Sequence, residues 1–216
     1  MADLSIRIEN LTKKFGKDTV LHSITHEFEA GKIHGIVGNN GSGKTVMFKC
    51  ICGFLTADGG RVFVGGEQIG KDVDFPSNLG AIIETPGFIP QYSGRKNLEI
   101  LASINKKISK KQVTEIIRKV GLDPNMKKAV SKYSLGMRQR LGLAQAIMED
   151  PAFLILDEPF NGLDKHGVAE IREIISGLRD KGKTILLASH NPEDIRIMCD
   201  TVCEMDSGYL KPLDIA

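Results

Sequence analysis

Apolar and polar residues change their rhythm three times along the chain. Near the start two segments alternate, Ser5-Ile6-Arg7-Ile8-Glu9 and Thr19 to Phe28. A period of two marks a strand with one buried face. Ile33 to Val37 is an unbroken apolar run that stops at a glycine-rich loop, and Gly43 to Gly53 reads as the helix that follows. Gly59-Gly60 reads as a turn, and Arg61 to Val64 and Leu79 to Ile83 as further strands. From Ser93 to Asp150 the period lengthens to that of a helix, with a break at Gly121-Leu122-Asp123-Pro124. Short apolar runs return at Phe153 to Leu156 and Thr184 to Ala188. Between them Val168, Ile171, Ile174, Ile175 and Leu178 keep helical spacing.

Strands without polar alternation are buried on both faces, which a parallel sheet covered by helices provides. The strand–helix–strand order gives the same answer. The expected fold is α/β: a mostly parallel sheet, a small antiparallel sheet from the early alternating strands, and an inserted helical part. The boundaries read as 1–84 and 151–216 for the core and 85–150 for the helical insertion.

Composition adjusts this picture only a little. The chain has 216 residues, 41% hydrophobic and 26% charged, which suits one domain with an insertion. A net charge of +2 is not the excess of a polyanion binder, so nucleic acid is not an expected partner. Lys106, Lys107, Lys110 and Lys111 read as a solvated helix surface rather than a lipid contact. No apolar run approaches the roughly 20 residues that span a bilayer, and the first residues lack a secretory pattern. The expectation is a cytoplasmic protein whose membrane part, if it serves a membrane process, lies on another chain. Cys50 and Cys52 sit two apart on a predicted helix and do not share a face. Cys199 and Cys203 have helical spacing but no second ligand pair for zinc. Buried free thiols are the expected reading.

The strongest motif is Gly38-Asn39-Asn40-Gly41-Ser42-Gly43-Lys44-Thr45, which fits G-x4-G-K-[ST] between a predicted strand and a predicted helix. Glycines let the backbone curl so that successive N–H groups face one anion, and the helix behind points its positive end at the same place. The candidate phosphate-binding set runs from Gly38 to Val46. Lys44 is placed to reach the β- and γ-phosphates of ATP and the Thr45 hydroxyl to ligate Mg²⁺. Phe153 to Leu156 ends in Asp157-Glu158, and ligands of open α/β sheets bind beyond such strand ends. Asp157 is the expected Mg²⁺ ligand. Glu158, pointing the other way along the strand, is expected to face the attacking water.

Tyr133-Ser134-Leu135-Gly136-Met137-Arg138-Gln139-Arg140 resembles the signature motif of ATP-binding-cassette (ABC) proteins, L-S-G-G-Q in its usual form. Ser134 and Gly136 are kept, while Leu135 and Met137 depart from it. Asn161-Gly162-Leu163-Asp164 resembles the family's D-loop, and His190 matches its switch histidine. The resemblance covers nearly the whole chain, and the motifs stand in the family's order. It implies a phosphate-loop ATPase that pairs head to tail with a second cassette, identical or paralogous. Lys44, Thr45, Asp157, Glu158 and His190 of one chain would then act with Ser134 and Gly136 of the other. Phe15 stands where the family has an aromatic stacked on adenine, though a core role in the first hairpin stays open. Glu84 replaces the glutamine that touches Mg²⁺ and the attacking water, and as an oxygen donor it suits the same metal.

The stretch Glu84-Thr85-Pro86-Gly87-Phe88-Ile89-Pro90 resembles ATPase subunits of bacterial antibiotic-peptide exporters, including bacitracin and lantibiotic systems. The implied function is the ATP-hydrolysing subunit of a transporter, driving export through a separate membrane permease at the inner face of the membrane. The alternative is an ABC ATPase without a transporter, such as an assembly factor.

Overall fold

Alternation near the start produces a hairpin. In the computed structural model, which describes residues 3–213, β1 (Ile6–Phe15) and β2 (Asp18–Phe28) pair antiparallel. Ile6, Ile8, Leu11, Leu21, Ile24 and Phe28 point inward and are buried. β4 (Gly59–Val64) pairs with β1 and β5 (Glu67–Gln68) with β4, giving a four-stranded sheet in the order β2-β1-β4-β5.

Gly59-Gly60 therefore opens a strand instead of forming a turn. At Gly60, φ is +81° and a side chain would strike the carbonyls of Glu9 and Asn10. The β1 register shifts beside it, between Glu9 and Thr12. The glycine admits a bulge.

The second sheet runs β10-β9-β3-β8-β7-β6. Its strands are β3 (Ile33–Val37), β6 (Leu79–Ile82), β7 (Phe153–Asp157), β8 (Thr184–Ala188), β9 (Thr201–Asp206) and β10 (Tyr209–Leu213). All pairings are parallel except β9 with β10. Every residue of β7 and β8 is buried, as their uninterrupted apolar runs require.

The helices are α1 (Lys44–Ile51), α2 (Gly94–Asn105), α3 (Lys110–Lys119), α4 (Leu135–Ile147), α5 (Lys165–Arg179) and α6 (Pro192–Met198). Two apolar layers flank the parallel sheet. One joins Ile36, Ile155 and Leu186 to α1 and the antiparallel sheet. The other joins Leu154, Leu156 and Leu187 to α2, α3, α4 and α5. The helical insertion thus shares its core with the sheet, through Leu98, Val113, Leu141 and Leu143. Among the described residues no helix is long and apolar enough to cross a membrane.

The cysteines are free. Cys199 follows α6 and Cys203 lies on β9, so the two do not share a helical face. Burial pushes the Cys50 and Cys203 thiols up to about 11 and those of Cys52 and Cys199 up to about 12. Such thiols stay protonated and inert.

Candidate functional site

β3 ends at Val37 and α1 begins at Lys44, and the loop between them is held from behind. A side chain at Gly38 would collide with the Met205 carbonyl, while the Ser42 N–H donates to the Asn39 carbonyl at 3.1 Å. Gly43 precedes α1 with φ 111° and gives it no side-chain cap. The first N–H groups of a helix have no partner within it, so this start is an electropositive cup. The Ser42 hydroxyl is buried without a hydrogen-bond partner. Lys44 Nζ donates to the carbonyls of Gly38 at 2.7 Å and Asn39 at 3.0 Å, which leaves the third ammonium hydrogen free.

Across the pocket stand two carboxylates, Asp157 at the end of β7 and Glu158 just beyond it. The Thr45 hydroxyl donates to Asp157 at 3.0 Å. Burial, first, and then the charges of Glu158 and Glu84 raise the Asp157 pKa, against the Thr45 hydrogen bond and Lys44. Glu158 has φ +53°, an uncommon conformation for this residue type. Its N–H donates to the Ala188 carbonyl at 2.9 Å, and its carbonyl accepts from Gln139 Nε2 at 3.0 Å. Its carboxylate accepts from His190 Nδ1 at 2.7 Å. The strained backbone is thus pinned by β8 on one side and α4 on the other.

The pocket between loop and strand ends has a volume of about 580 Å³. Asn40, Gly41, Ser42, Gly43, Thr45 and Val46 line it with Lys44, and Asp157, Glu158 and Glu84 face them. His190, Gly38 and Asn39 line a second cavity, of about 680 Å³. Among the described residues no three His, Cys, Asp or Glu side chains form a metal cage. The oxygens of Thr45 and Asp157 are a partial donor set, which suits Mg²⁺, an ion usually held by one or two protein groups together with phosphates and water.

Ser134 and Gly136 do not line the first pocket. The Ser134 hydroxyl caps α4 by accepting the Met137 N–H at 3.2 Å. Phe15 does not line it either: its ring sits half-exposed at the hairpin end, 5.4 Å from Lys13 Nζ, and the hairpin residue that lines the pocket is Val20. Glu84 does reach the pocket, but its carboxylate pairs with Lys49 Nζ at 2.8 Å and not with Thr45. Val20 and Gln139 line the pocket and Lys49 stands behind Glu84, and the sequence reading assigned none of the three a role. Gln139 lay inside the signature-like stretch, and Lys49 lies four residues beyond Thr45 and so on the same helix face.

A family model described as ABC transporter matches residues 21–161. The uncharacterized ABC transporter ATP-binding protein YybJ of Bacillus subtilis (strain 168) is 44% identical over 206 residues, 95% of this chain and 94% of that protein. The bacitracin transport ATP-binding protein BcrA of Enterococcus faecalis is 42% identical over 207 residues, 95% of this chain and 67% of that protein. Among solved structures, the dimeric post-hydrolysis state of the ATP-binding cassette MJ0796 bound to ADP and Pi superimposes with a TM-score of 0.87. That likeness covers 98% of this chain and 99% of the other at 19% identity, and it establishes the fold.

Proposed function

Since the chain belongs to the ABC transporter family and is an ATP-binding ATPase subunit of it, we propose a division of labour at its site. Gly38 to Val46 enclose the terminal phosphates of ATP, with Lys44 as their cation. Thr45 and Asp157 would hold Mg²⁺, and Glu84 would be a further oxygen donor at the pocket. When bound, that ion offsets the negative charge that develops on the transferring phosphoryl group. Glu158 accepts a proton from the attacking water, and His190 orients the carboxylate through their 2.7 Å hydrogen bond. Phe15 offers a ring for adenine to stack on.

Ser134 and Gly136 serve the site of a second cassette, identical or paralogous. Two observations support this: Ser134 and Gly136 do not line their own chain's pocket, although Leu135 between them does, and α4 starts there with a fixed cap. The backbone carbonyl of Glu158 accepts from Gln139 of that same helix, so movement of α4 is passed to the Glu158 backbone. Closure on ATP and release after hydrolysis form a two-state cycle biased by the γ-phosphate. The segment 85–150 serves as the moving helical part and 1–84 with 151–216 as the nucleotide core.

BcrA of Enterococcus faecalis is a bacitracin transport protein. On that ground the cargo proposed here is an antibiotic peptide, exported through a separate membrane permease that holds the chain at the inner face of the membrane.

The observation that carries the reading is the uncapped start of α1 facing Asp157 and Glu158. Glu158→Gln tests it. The variant should bind Mg·ATP, accumulate as a dimer on size exclusion, and release phosphate about 10²- to 10⁴-fold more slowly. Phosphate release at the unmutated rate would remove Glu158 from this role. Co-purification with a multi-span membrane protein tests the transport assignment.

A further inference from the structure

Glu84 lies two residues beyond β6, in the loop toward α2, with φ +58°. Its carboxylate turns back to α1, where Lys49 Nζ meets Oε1 at 2.8 Å. Thr45 and Lys49, one turn apart, share a helix face. That face therefore makes two links in succession, Thr45 to Asp157 on β7 and Lys49 to Glu84 beyond β6. β6 and β7 are neighbouring parallel strands. Glu84, Asp157 and Glu158 all line a pocket that has to admit a polyanion. A glutamine in place of Glu84 would bring no charge and would need no cation behind it.

We infer that Lys49 is a positioning residue of the nucleotide site: its ion pair neutralises Glu84 and holds that carboxylate against the pocket wall. The inference rests on the nucleotide reading above and adds to it how the chain tolerates a glutamate there. The Glu84 side chain is 61% exposed, so the pair adds little to the stability of the fold. Its consequence is local potential, felt by phosphates that approach before a metal ion offsets their charge.

The experiment is a double-mutant cycle on Lys49→Met and Glu84→Gln, read as affinity for a fluorescent ATP analogue in EDTA. At low salt Lys49→Met should weaken binding by about three- to tenfold, as the loss of one nearby charge allows. Lys49→Arg should stay within about twofold of the unmutated protein, since it keeps the cation. Adding Glu84→Gln to Lys49→Met should restore affinity to within about twofold, the signature of coupled residues. The deficit should shrink toward 1 M salt, where screening acts within about 3 Å, and the thermal midpoint should not move. Binding by Lys49→Met that Glu84→Gln fails to rescue, or a deficit indifferent to salt, overturns the inference alone. Failure of the unmutated protein to bind the analogue overturns the nucleotide reading and this inference with it.

Discussion

Two helices in this chain, both proposed above to meet phosphate, start differently. α1 follows Gly43, with φ 111° and no side-chain cap. α4 follows Ser134, in an extended conformation, and its hydroxyl accepts the Met137 N–H. α2, α3, α5 and α6 resemble α4, capped by Ser93, Ser109, Asp164 and Asn191. A side-chain cap stabilises a helix by about 1 kcal/mol, and α1 alone among the described α-helices forgoes it. Its first N–H groups have no partner within the helix. α4 has its side-chain cap, and Ser134 keeps its hydroxyl hydrogen for an outside acceptor while its oxygen serves the helix. The lesson is an asymmetry of dependence: on the function proposed above, the start of α1 is completed by ATP and the start of α4 by a second chain.

The sharpest way to break that contrast is Gly43→Ala. A Cβ there would lie 3.0 Å from Leu21 Cδ2 and 3.3 Å from the Val20 carbonyl oxygen, in a backbone conformation that only glycine adopts freely. We expect a stability loss of about 1–3 kcal/mol from backbone strain. We also expect a loss of at least tenfold in ATP affinity, as roughly one charge-assisted hydrogen bond accounts for. Denaturant titration and calorimetry measure the two separately. A folded Gly43→Ala protein that bound Mg·ATP at unaltered affinity would mean that the start of α1 is not the anion site.

Next in size is Ser134→Ala, which removes the cap of α4. The isolated chain should lose about 1 kcal/mol of stability. Its affinity for ATP at low protein concentration should hold, because Ser134 lies outside its own pocket. ATP-dependent pairing, followed by light scattering, should weaken. An equal loss of monomer ATP affinity in the two variants would erase the distinction between the helices.

What could be read in advance divides along the same line. The phosphate loop was legible because its chemistry is local: eight consecutive residues carry the curl, the cation and the hydroxyl. Strands β3, β7 and β8 were legible because burial on both faces leaves unbroken apolar runs. α6, β9 and β10 were not read, since a seven-residue helix spans barely two turns and shows no period. Gly59-Gly60 misled because glycine pairs signal turns and bulges alike, and only the partner strand decides which. The Lys49–Glu84 pair joins residues 35 apart. The position of Phe15 depends on where a hairpin tip lies against a loop more than twenty residues away. No local pattern encodes either. The left-handed backbone at Glu84 and Glu158 is likewise invisible in their names, since glutamate has no preference for it.

The smallest expected effect discriminates most finely. The Ser42 hydroxyl is buried without a partner, and an unsatisfied buried polar group costs stability. Ser42→Ala should therefore leave the nucleotide-free protein unchanged or raise its stability by up to about 1 kcal/mol. Ser134→Ala should lower it by a similar amount. The two substitutions delete the same atom, each just before a helix start, so any difference in sign comes from what the oxygen was bonded to. With saturating Mg·ATP the Ser42→Ala advantage should shrink, because a ligand that hydrogen-bonds the hydroxyl stabilises only the serine form. Urea midpoints with and without nucleotide give all four values. Equal destabilisation by both substitutions in the absence of nucleotide would show that Ser42 is already satisfied, and that the loop before α1 is not waiting for its ligand.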